Sequence, residues 1–181
     1  VTDPTLDAWL EILTRVADAQ LLLLTYHGES VKQRVAQAAR RRGVDPDRIR
    51  LFSKRPRDEY YRLVQQADVA LDPFPFNGHT TTCDAVWLGV PVVMLLGRMY
   101  ASRFGSSVLA NVGLDDLIAE SVEQYIERAV TLAGDLDRLA RLRSELRTRM
   151  AASALLDFQG FARDVEAAYR QMWKTWFAQH G

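Results

Sequence analysis

The sequence predicts an α/β fold in which helices cover both faces of a parallel β-sheet. Short apolar runs alternate along the chain with longer segments whose apolar residues recur at helical spacing. The runs are apolar throughout rather than at every second position, which is typical of strands buried on both faces. This alternation predicts strands joined by crossover helices, and therefore a Rossmann-like domain. The fingerprint Gly-x-Gly-x-x-Gly does not occur, which disfavours NAD or FAD as a ligand.

The composition is that of an ordinary globular domain. The chain has 181 residues, of which 48% are hydrophobic and 25% charged, and its formal net charge is zero. A neutral chain offers no basic field for nucleic acid. The single cysteine, Cys83, excludes an internal disulfide and fits a reducing compartment. Because the sequence has neither a signal peptide nor an apolar run of membrane-spanning length, we predict a cytoplasmic protein without a membrane partner. Since the chain begins at Val1, we expect it to be part of a longer protein.

The first half of the chain is predicted to alternate helices and strands. Asp3 before Pro4 predicts a helix N-terminus, since Asp is a favoured N-cap and Pro fits the first helical turn. The apolar run 20–26 predicts a central strand, and Gly43 is expected to end the helix that follows. The predicted elements are a helix from Asp3, strand 20–26, a turn at 27–30, helix 31–42, strand 49–52, a helix that ends near Gln66, and strand 69–71.

The second half continues this pattern and ends in helices. The predicted elements are helix 83–88, strand 90–96, a helix opened by 101–103, a short edge strand within 114–119, a helix that begins at 121–123, surface helix 135–150 and a last helix over 161–177. The last helix has a broad apolar face that includes Trp173, Trp176 and Phe177, and such a patch often marks a partner surface. We therefore divide the chain into a Rossmann-like domain, residues 1–160, and a C-terminal helix, residues 161–181.

The stretch 72–84 carries the most specific functional signal. It follows a predicted strand, contains two prolines and Gly78, and enters a helix at His79 and three consecutive threonines. Backbone N–H groups at a helix N-terminus attract anions, and the threonine hydroxyls add donors. Asp84, one turn further on, is placed to contact a sugar hydroxyl. The stretch predicts a site for the diphosphate and ribose of a nucleotide, and the alternative is that the threonines only cap the helix. The two phenylalanines in the stretch are expected to pack the loop onto the sheet.

The same residues carry a resemblance to a known family. The segments that carry it are Asp3-Pro4 with Trp9, Asn77-Gly78-His79-Thr80-Thr81 with Asp84, Trp87-Leu88-Gly89-Val90-Pro91-Val92-Val93, Gly97, Ala101-Ser102-Arg103 and Tyr169-Arg170-Gln171-Met172-Trp173. With them the chain resembles, over essentially its whole length, the C-terminal catalytic half of the O-linked N-acetylglucosamine transferases, which include the SPINDLY-like proteins. The resemblance implies the nucleotide-sugar-binding half of a two-domain GT-B glycosyltransferase. Residues 1–160 would then be the UDP-sugar-binding domain, and residues 161–181 would pack towards the N-terminal half or a partner.

The activity that the resemblance implies is transfer of N-acetylglucosamine from UDP-N-acetylglucosamine to Ser or Thr of proteins. It implies neither a metal ion nor another cofactor. The implied partners are a protein or peptide acceptor, the N-terminal catalytic half and a helical repeat domain, and a homodimer is left open. Three alternatives remain at this point: a SPINDLY-like transferase with another donor such as GDP-fucose, a GT-B-like UDP-sugar epimerase, and a non-catalytic nucleotide-binding or interaction module.

The resemblance also implies roles for residues of the helix start and the loop before it. His79, Thr80 and Thr81 are expected to hold the diphosphate, and Asp84 the ribose hydroxyls. Gly78 is expected to belong to the same nucleotide-sugar-binding site.

Neighbouring loops are expected to complete the site. The resemblance places Arg57 and Tyr60 against the base, and Arg103 near the diphosphate and sugar unless it pairs with a carboxylate. No residue is a convincing general base, because a carboxylate at Glu59 or Asp72 would repel the diphosphate. In the family a lysine just ahead of the Asp-Pro pair contacts the phosphates, and the sequence contains no counterpart to it.

Overall fold

A computed structural model describes residues 1–25 and 28–180 of the chain as an α/β fold. Its strands are β1 (Leu21–Leu24), β2 (Ile49–Phe52), β3 (Ala70–Leu71), β4 (Val92–Leu95) and β5 (Ile118–Ala119). Its helices are α1 (Asp3–Arg15), α2 (Glu29–Arg41), α3 (Arg57–Val64), α4 (Thr80–Trp87), α5 (Phe104–Asn111), α6 (Val122–Gly134), α7 (Leu136–Ala151) and α8 (Phe158–His180). Single turns of 3₁₀ helix lie at Pro46–Arg48, Tyr100–Ser102, Asp115–Leu117 and Ala154–Leu156.

The strands pair in parallel, which confirms the predicted fold class. β1 pairs with β2, and the other three strands form a sheet in the order β3-β4-β5. The described strands thus form two parallel sheets where the sequence predicts one. β3 is only two residues long, so it offers too short a ladder to extend the second sheet towards β1.

The buried centre of the fold is β4 rather than β1. Val92, Val93 and Met94 of β4 are all fully buried, because strands flank β4 on both sides. The prediction of a central strand over 20–26 is therefore wrong. Among the described residues β1 pairs with β2 alone, and only its third residue is buried. The length of an apolar run does not reveal how many neighbours a strand has. Residues 26 and 27, predicted to end this strand and to start the turn at 27–30, lie outside the described residues.

Most other elements follow the sequence prediction, with shifted ends. β5 confirms the weak edge strand, and α6 begins after Ser121, whose side chain accepts the N–H of Gln124. The N-cap of α1 is Thr2 rather than Asp3, because the Thr2 side chain accepts the Thr5 N–H and Asp3 is already helical. α4 begins at Thr80, within the helix start predicted at His79 and the threonines, and α8 begins at Phe158 rather than at residue 161.

A chain of buried hydrogen bonds joins α1 and α6 to the end of β3. The indole Nε1 of Trp9 donates to the hydroxyl of Tyr125 over 2.9 Å. The Tyr125 hydroxyl in turn donates to the backbone carbonyl of Asp72 over 3.1 Å. The Thr5 hydroxyl donates to the carbonyl of Phe74. These bonds satisfy buried polar groups and attach the start of the 72–79 loop to α1 and α6.

The last helix, α8, stands apart from the core. It has no buried residue, and its large apolar side chains are more than half exposed. The ring of Trp173 contacts those of Trp176 and Phe177 along one side, as the sequence predicts for the apolar face. Within the described residues, no helix is both long and apolar enough to cross a lipid bilayer.

Candidate functional site

The candidate site lies where β3 and β4 end. Parallel strands place their carboxyl ends at one edge of the sheet, which is where open α/β folds bind ligands. The loop 72–79 leads from β3 into α4, and the loop 96–103 leads from β4 into α5. The N–H of Asn77 donates to the carbonyl of Ala101 over 3.0 Å, so the two loops are joined directly.

The N-terminus of α4 is open to solvent. His79 is the N-cap, and its side chain makes no capping hydrogen bond within the described part of the chain. The threonines lie inside the first helical turn rather than at the N-cap position, and their role in binding a nucleotide stays a prediction. His79, Thr80 and Thr81 are exposed, whereas Thr82 is buried. The N–H groups of a first turn have no partner within their helix, so this end presents donors and the positive end of the helix dipole to an anion.

The imidazole of His79 is held by an aromatic neighbour. It stacks on the ring of Phe104, the first residue of α5, with centroids 4.7 Å apart. The Phe104 ring also meets Tyr100 edge-on at 4.6 Å. The stack fixes the imidazole between the two helix N-termini. Sequence reasoning missed Phe104, because nothing in the local pattern shows that α4 and α5 begin side by side.

Gly78 is the tightest point of the turn before α4. A Cβ atom there would lie 2.5 Å from Thr81 Oγ1, 2.8 Å from Thr82 Oγ1 and 2.9 Å from Asp72 Oδ1. Cβ atoms do not approach oxygen atoms this closely, so the turn accepts only glycine in this form. The Gly78 N–H donates to Asp72 Oδ1 over 2.7 Å. The turn is therefore built on the Asp72 carboxyl group.

Asp72 differs from what the sequence predicts. Its side chain is 5% exposed, and Oδ2 has no hydrogen-bond partner among the described residues. Burial raises the pKa of Asp72 to about 7, against the opposing effect of the Gly78 hydrogen bond. The sequence does not show this burial, which makes the Asp72 carboxyl group harder to ionise than an ordinary aspartate.

Arg57 and Asp84 are linked through Tyr61. Arg57 Nε donates to the Tyr61 hydroxyl over 2.8 Å, and its guanidinium lies 5.1 Å from the centre of the Tyr61 ring. The Tyr61 hydroxyl donates to Asp84 Oδ1 over 3.1 Å. This hydrogen bond network raises the pKa of Arg57. The structure thus brings together a predicted base-contacting residue and the predicted ribose-contacting residue.

Tyr61, which the sequence prediction passed over in favour of Tyr60, makes this link. The two rings are tilted against each other at 5.6 Å. The signal that identifies Tyr61 is its spacing, since Arg57 and Tyr61 are four residues apart in α3 and therefore neighbours on the helix surface. The link onward to Asp84 depends on the packing of α3 near α4, which the local sequence does not show.

The remaining predicted residues lie around these loops. Arg103 is exposed at the start of α5, and in the described structure it donates to the carbonyl of Gly97 over 3.2 Å and forms no ion pair. Glu59 is exposed and pairs with Arg55 at 3.4 Å. Phe74 packs edge-on against Tyr125, as expected for a residue that holds the loop. Phe76 is 68% exposed, so the prediction that it packs on the sheet is wrong.

Comparison with known proteins identifies the family to which this fold and site belong. The model of glycosyl transferase family 41 matches residues 1–165. The chain belongs to this family. Proteins with similar sequences include a probable UDP-N-acetylglucosamine–peptide N-acetylglucosaminyltransferase SPINDLY of Solanum lycopersicum, 34% identical over 97% of the chain and 19% of that protein. A UDP-N-acetylglucosamine–peptide N-acetylglucosaminyltransferase of Caenorhabditis elegans is 37% identical over 96% of the chain and 15% of that protein.

A solved structure matches the fold. A mutant of the Thermobaculum terrenum O-GlcNAc transferase superposes with a TM-score of 0.89 at 37% identity, over 97% of this chain and 34% of that one. Both the predicted family and the predicted fold class are thereby confirmed. The chain spans about a fifth of the length of the SPINDLY relatives it matches and about a third of the solved structure.

Proposed function

We propose that this chain is the nucleotide-sugar-binding part of a protein O-GlcNAc transferase, which moves N-acetylglucosamine from UDP-N-acetylglucosamine to Ser or Thr of proteins. The observation that carries the proposal is the solvent-open N-terminus of α4 at the carboxyl edge of the sheet, with Thr80 and Thr81 exposed in its first turn. Membership of family 41 and the names of the similar proteins support it.

In this proposal the α4 N-terminus binds the diphosphate. The backbone N–H groups after Gly78, the hydroxyls of Thr80 and Thr81, and the imidazole of His79 donate to its oxygens. Transfer of the sugar leaves negative charge on the diphosphate, and donors that are already in place stabilise that charge as it develops. This stabilisation requires no metal ion.

Nucleoside recognition is assigned to α3 and the second turn of α4. Asp84 accepts hydrogen bonds from the ribose hydroxyls, and Arg57 and Tyr60 lie against the base. Arg103 reaches the diphosphate or the sugar from the second loop. Asp84 has one carboxylate oxygen engaged by Tyr61, so Tyr61 orients the carboxylate for the ribose.

The general base and most of the acceptor site belong, in this proposal, to the N-terminal half of such a transferase. Residues 1–160 form the nucleotide-sugar domain, and the C-terminal helix, residues 161–181, packs on that half or on another partner through its exposed apolar face. For location we infer the cytoplasm, since the one free thiol, Cys83, suits a reducing compartment.

A double substitution in the first turn of α4 tests the diphosphate site. We expect Thr80→Ala with Thr81→Ala to lower the affinity for UDP-N-acetylglucosamine at least about tenfold, since each hydrogen bond to a charged group contributes about 1.5–3 kcal/mol. Isothermal titration calorimetry in buffer with EDTA measures this affinity. The matched control is Thr131→Ala with Thr148→Ala, two exposed helical threonines of α6 and α7. Equal affinity of the two double variants would refute the assignment.

A further inference from the structure

The backbone of Asp72 is fixed on two sides. Its N–H donates to the carbonyl of Val93 in β4 over 2.9 Å, and its carbonyl accepts the hydroxyl of the buried Tyr125 from α6. The side chain, 5% exposed, accepts the Gly78 N–H at the turn that starts α4. The carboxyl group therefore lies directly behind the N–H groups to which the diphosphate is assigned.

The second carboxyl oxygen lies towards α5. A Cβ atom on Gly105 would be 3.1 Å from Asp72 Oδ2, and this oxygen has no hydrogen-bond partner among the described residues. In the same turn the side-chain oxygens of Asn77 and Thr82 are also buried without a partner in the described chain. A buried carboxyl group with one engaged and one free oxygen is suited to carry a proton on the free oxygen.

No cation in the described chain forms an ion pair with this carboxyl group. The polar groups near it are the Gly78 N–H and the Thr82 hydroxyl from the α4 turn and the Tyr125 hydroxyl from α6. The titratable side chain of the α4 turn is His79, the exposed N-cap, which stacks on Phe104. From the α5 side come Gly105 and, at the N-cap, Arg103, whose guanidinium is engaged with the Gly97 carbonyl. Met94 of β4 lies close to Gly105 on the same side, and Trp9 of α1 contacts the Tyr125 hydroxyl rather than the carboxyl group. Burial raises the pKa of the Tyr125 hydroxyl, which stays protonated as a donor.

A negative charge on Asp72 would oppose a diphosphate bound in front of it. A protonated Asp72 removes this repulsion, and its Oδ1 still accepts the Gly78 N–H, so the turn keeps its shape. We propose that Asp72 is a proton-coupled positioning residue: it holds the Gly78 turn and takes up one proton when the diphosphate of a nucleotide sugar binds at α4. This inference rests on the proposed function and adds a pH dependence to the same site.

The direction of the pH dependence follows from the linkage between proton binding at Asp72 and binding of the diphosphate. Burial raises the pKa of Asp72 to about 7 in the free protein, and a bound diphosphate raises it further, since like charges repel. Binding therefore costs little at Asp72 well below pH 7, where most of the protein already carries the proton, and requires increasing proton uptake as pH rises through 7. Affinity for UDP-N-acetylglucosamine should fall as pH rises above 7. The diphosphate of this ligand is a diester without a group that titrates near neutrality, so the proton is taken up by the protein.

Titration calorimetry with UDP-N-acetylglucosamine at pH 6.5, 7.5 and 8.5 tests the proposal. Measurements at pH 7.5 and 8.5 are repeated in HEPES and in Tris, whose ionisation enthalpies differ. We expect the affinity to fall about tenfold from pH 6.5 to 8.5, since one pKa unit corresponds to a tenfold change, and the binding enthalpy to depend on the buffer. We expect Asp72→Asn to bind with the same affinity at all three pH values and without buffer dependence. Asp18→Asn, in the exposed turn between α1 and β1, should behave as the unmodified chain.

A second variant separates Asp72 from its titratable neighbour. His79→Gln keeps a side-chain donor and cannot titrate. Proton uptake that persists in His79→Gln therefore supports Asp72 as the group that takes up the proton. This result holds even if Asp72→Asn does not fold, and circular dichroism shows whether it folds. Proton uptake that is lost in His79→Gln, or retained in a folded Asp72→Asn, overturns the proposal. Binding without any pH dependence also overturns it and leaves the proposed function standing, whereas no binding at any pH overturns both.

Discussion

At the scale of single residues, Gly78 is the position where the turn before α4 tolerates no side chain. Its N–H is held by Asp72, and its Cα faces the hydroxyls of Thr81 and Thr82 with no room for a methyl group. The residue type and the position could be predicted from the sequence, because glycine before a helix start is a local signal. The buried carboxyl group beneath it could not, since burial of Asp72 depends on α5 and α6, which lie far along the chain.

Substitution of Gly78 should damage the site more than the fold. We expect Gly78→Ala to lower the affinity for UDP-N-acetylglucosamine at least tenfold, because the new Cβ atom must displace the Thr81 and Thr82 hydroxyls or the Asp72 carboxyl group. We expect a loss of about 1–3 kcal/mol in the free energy of unfolding from the overpacking. Calorimetric titration and chemical denaturation measure the two effects.

The matched control for this substitution is Gly134→Ala at the end of α6. A Cβ atom there would meet nothing within 4 Å, so both affinity and stability should stay near those of the unmodified chain. Equal affinities of Gly78→Ala and Gly134→Ala would show that the Gly78 turn does not shape the site.

At the scale of elements, the features that depend on residues within one segment were predicted correctly. The features that depend on packing between segments were not. The strand 49–52 and the helix start at Ser121 matched, because both depend on residues within one segment. The central position of 20–26 was wrong, because the number of neighbours of a strand is a property of the sheet. Likewise the links from Tyr61 to Asp84 and from His79 to Phe104 join different helices, and no spacing within one helix predicts them.

The exposed face of α8 permits a prediction about stability. We expect Trp173→Glu with Trp176→Glu to change the free energy of unfolding by less than about 0.5 kcal/mol per substitution, because both side chains are more than half exposed. Leu142→Glu, at a buried position of α7, should cost several kcal/mol, since it buries an unpaired charge. The stabilities of the two variants are compared by thermal and denaturant unfolding, monitored by circular dichroism. A large loss in the α8 variant would mean that this face packs against the rest of the chain.

At the scale of the whole molecule, the described structure has its candidate ligand site at the carboxyl edge of the sheet and an exposed apolar face on α8. At the carboxyl edge of the sheet lie the α4 N-terminus, the two joined loops and the Arg57–Tyr61–Asp84 network. The apolar side of α8 is left in solvent. Both features fit a domain that forms one wall of a cleft, with the nucleotide held on this wall and the acceptor supplied from the other.

The most direct test of this account is calorimetric titration of the chain with UDP and then with GDP, in buffer with EDTA. The account predicts that UDP binds without metal and at least about tenfold more tightly than GDP, because the diphosphate site and the uracil-contacting residues both lie in this chain. Tighter binding of GDP would contradict the assigned donor. If neither nucleotide binds, the central claim that this chain holds the nucleotide is contradicted.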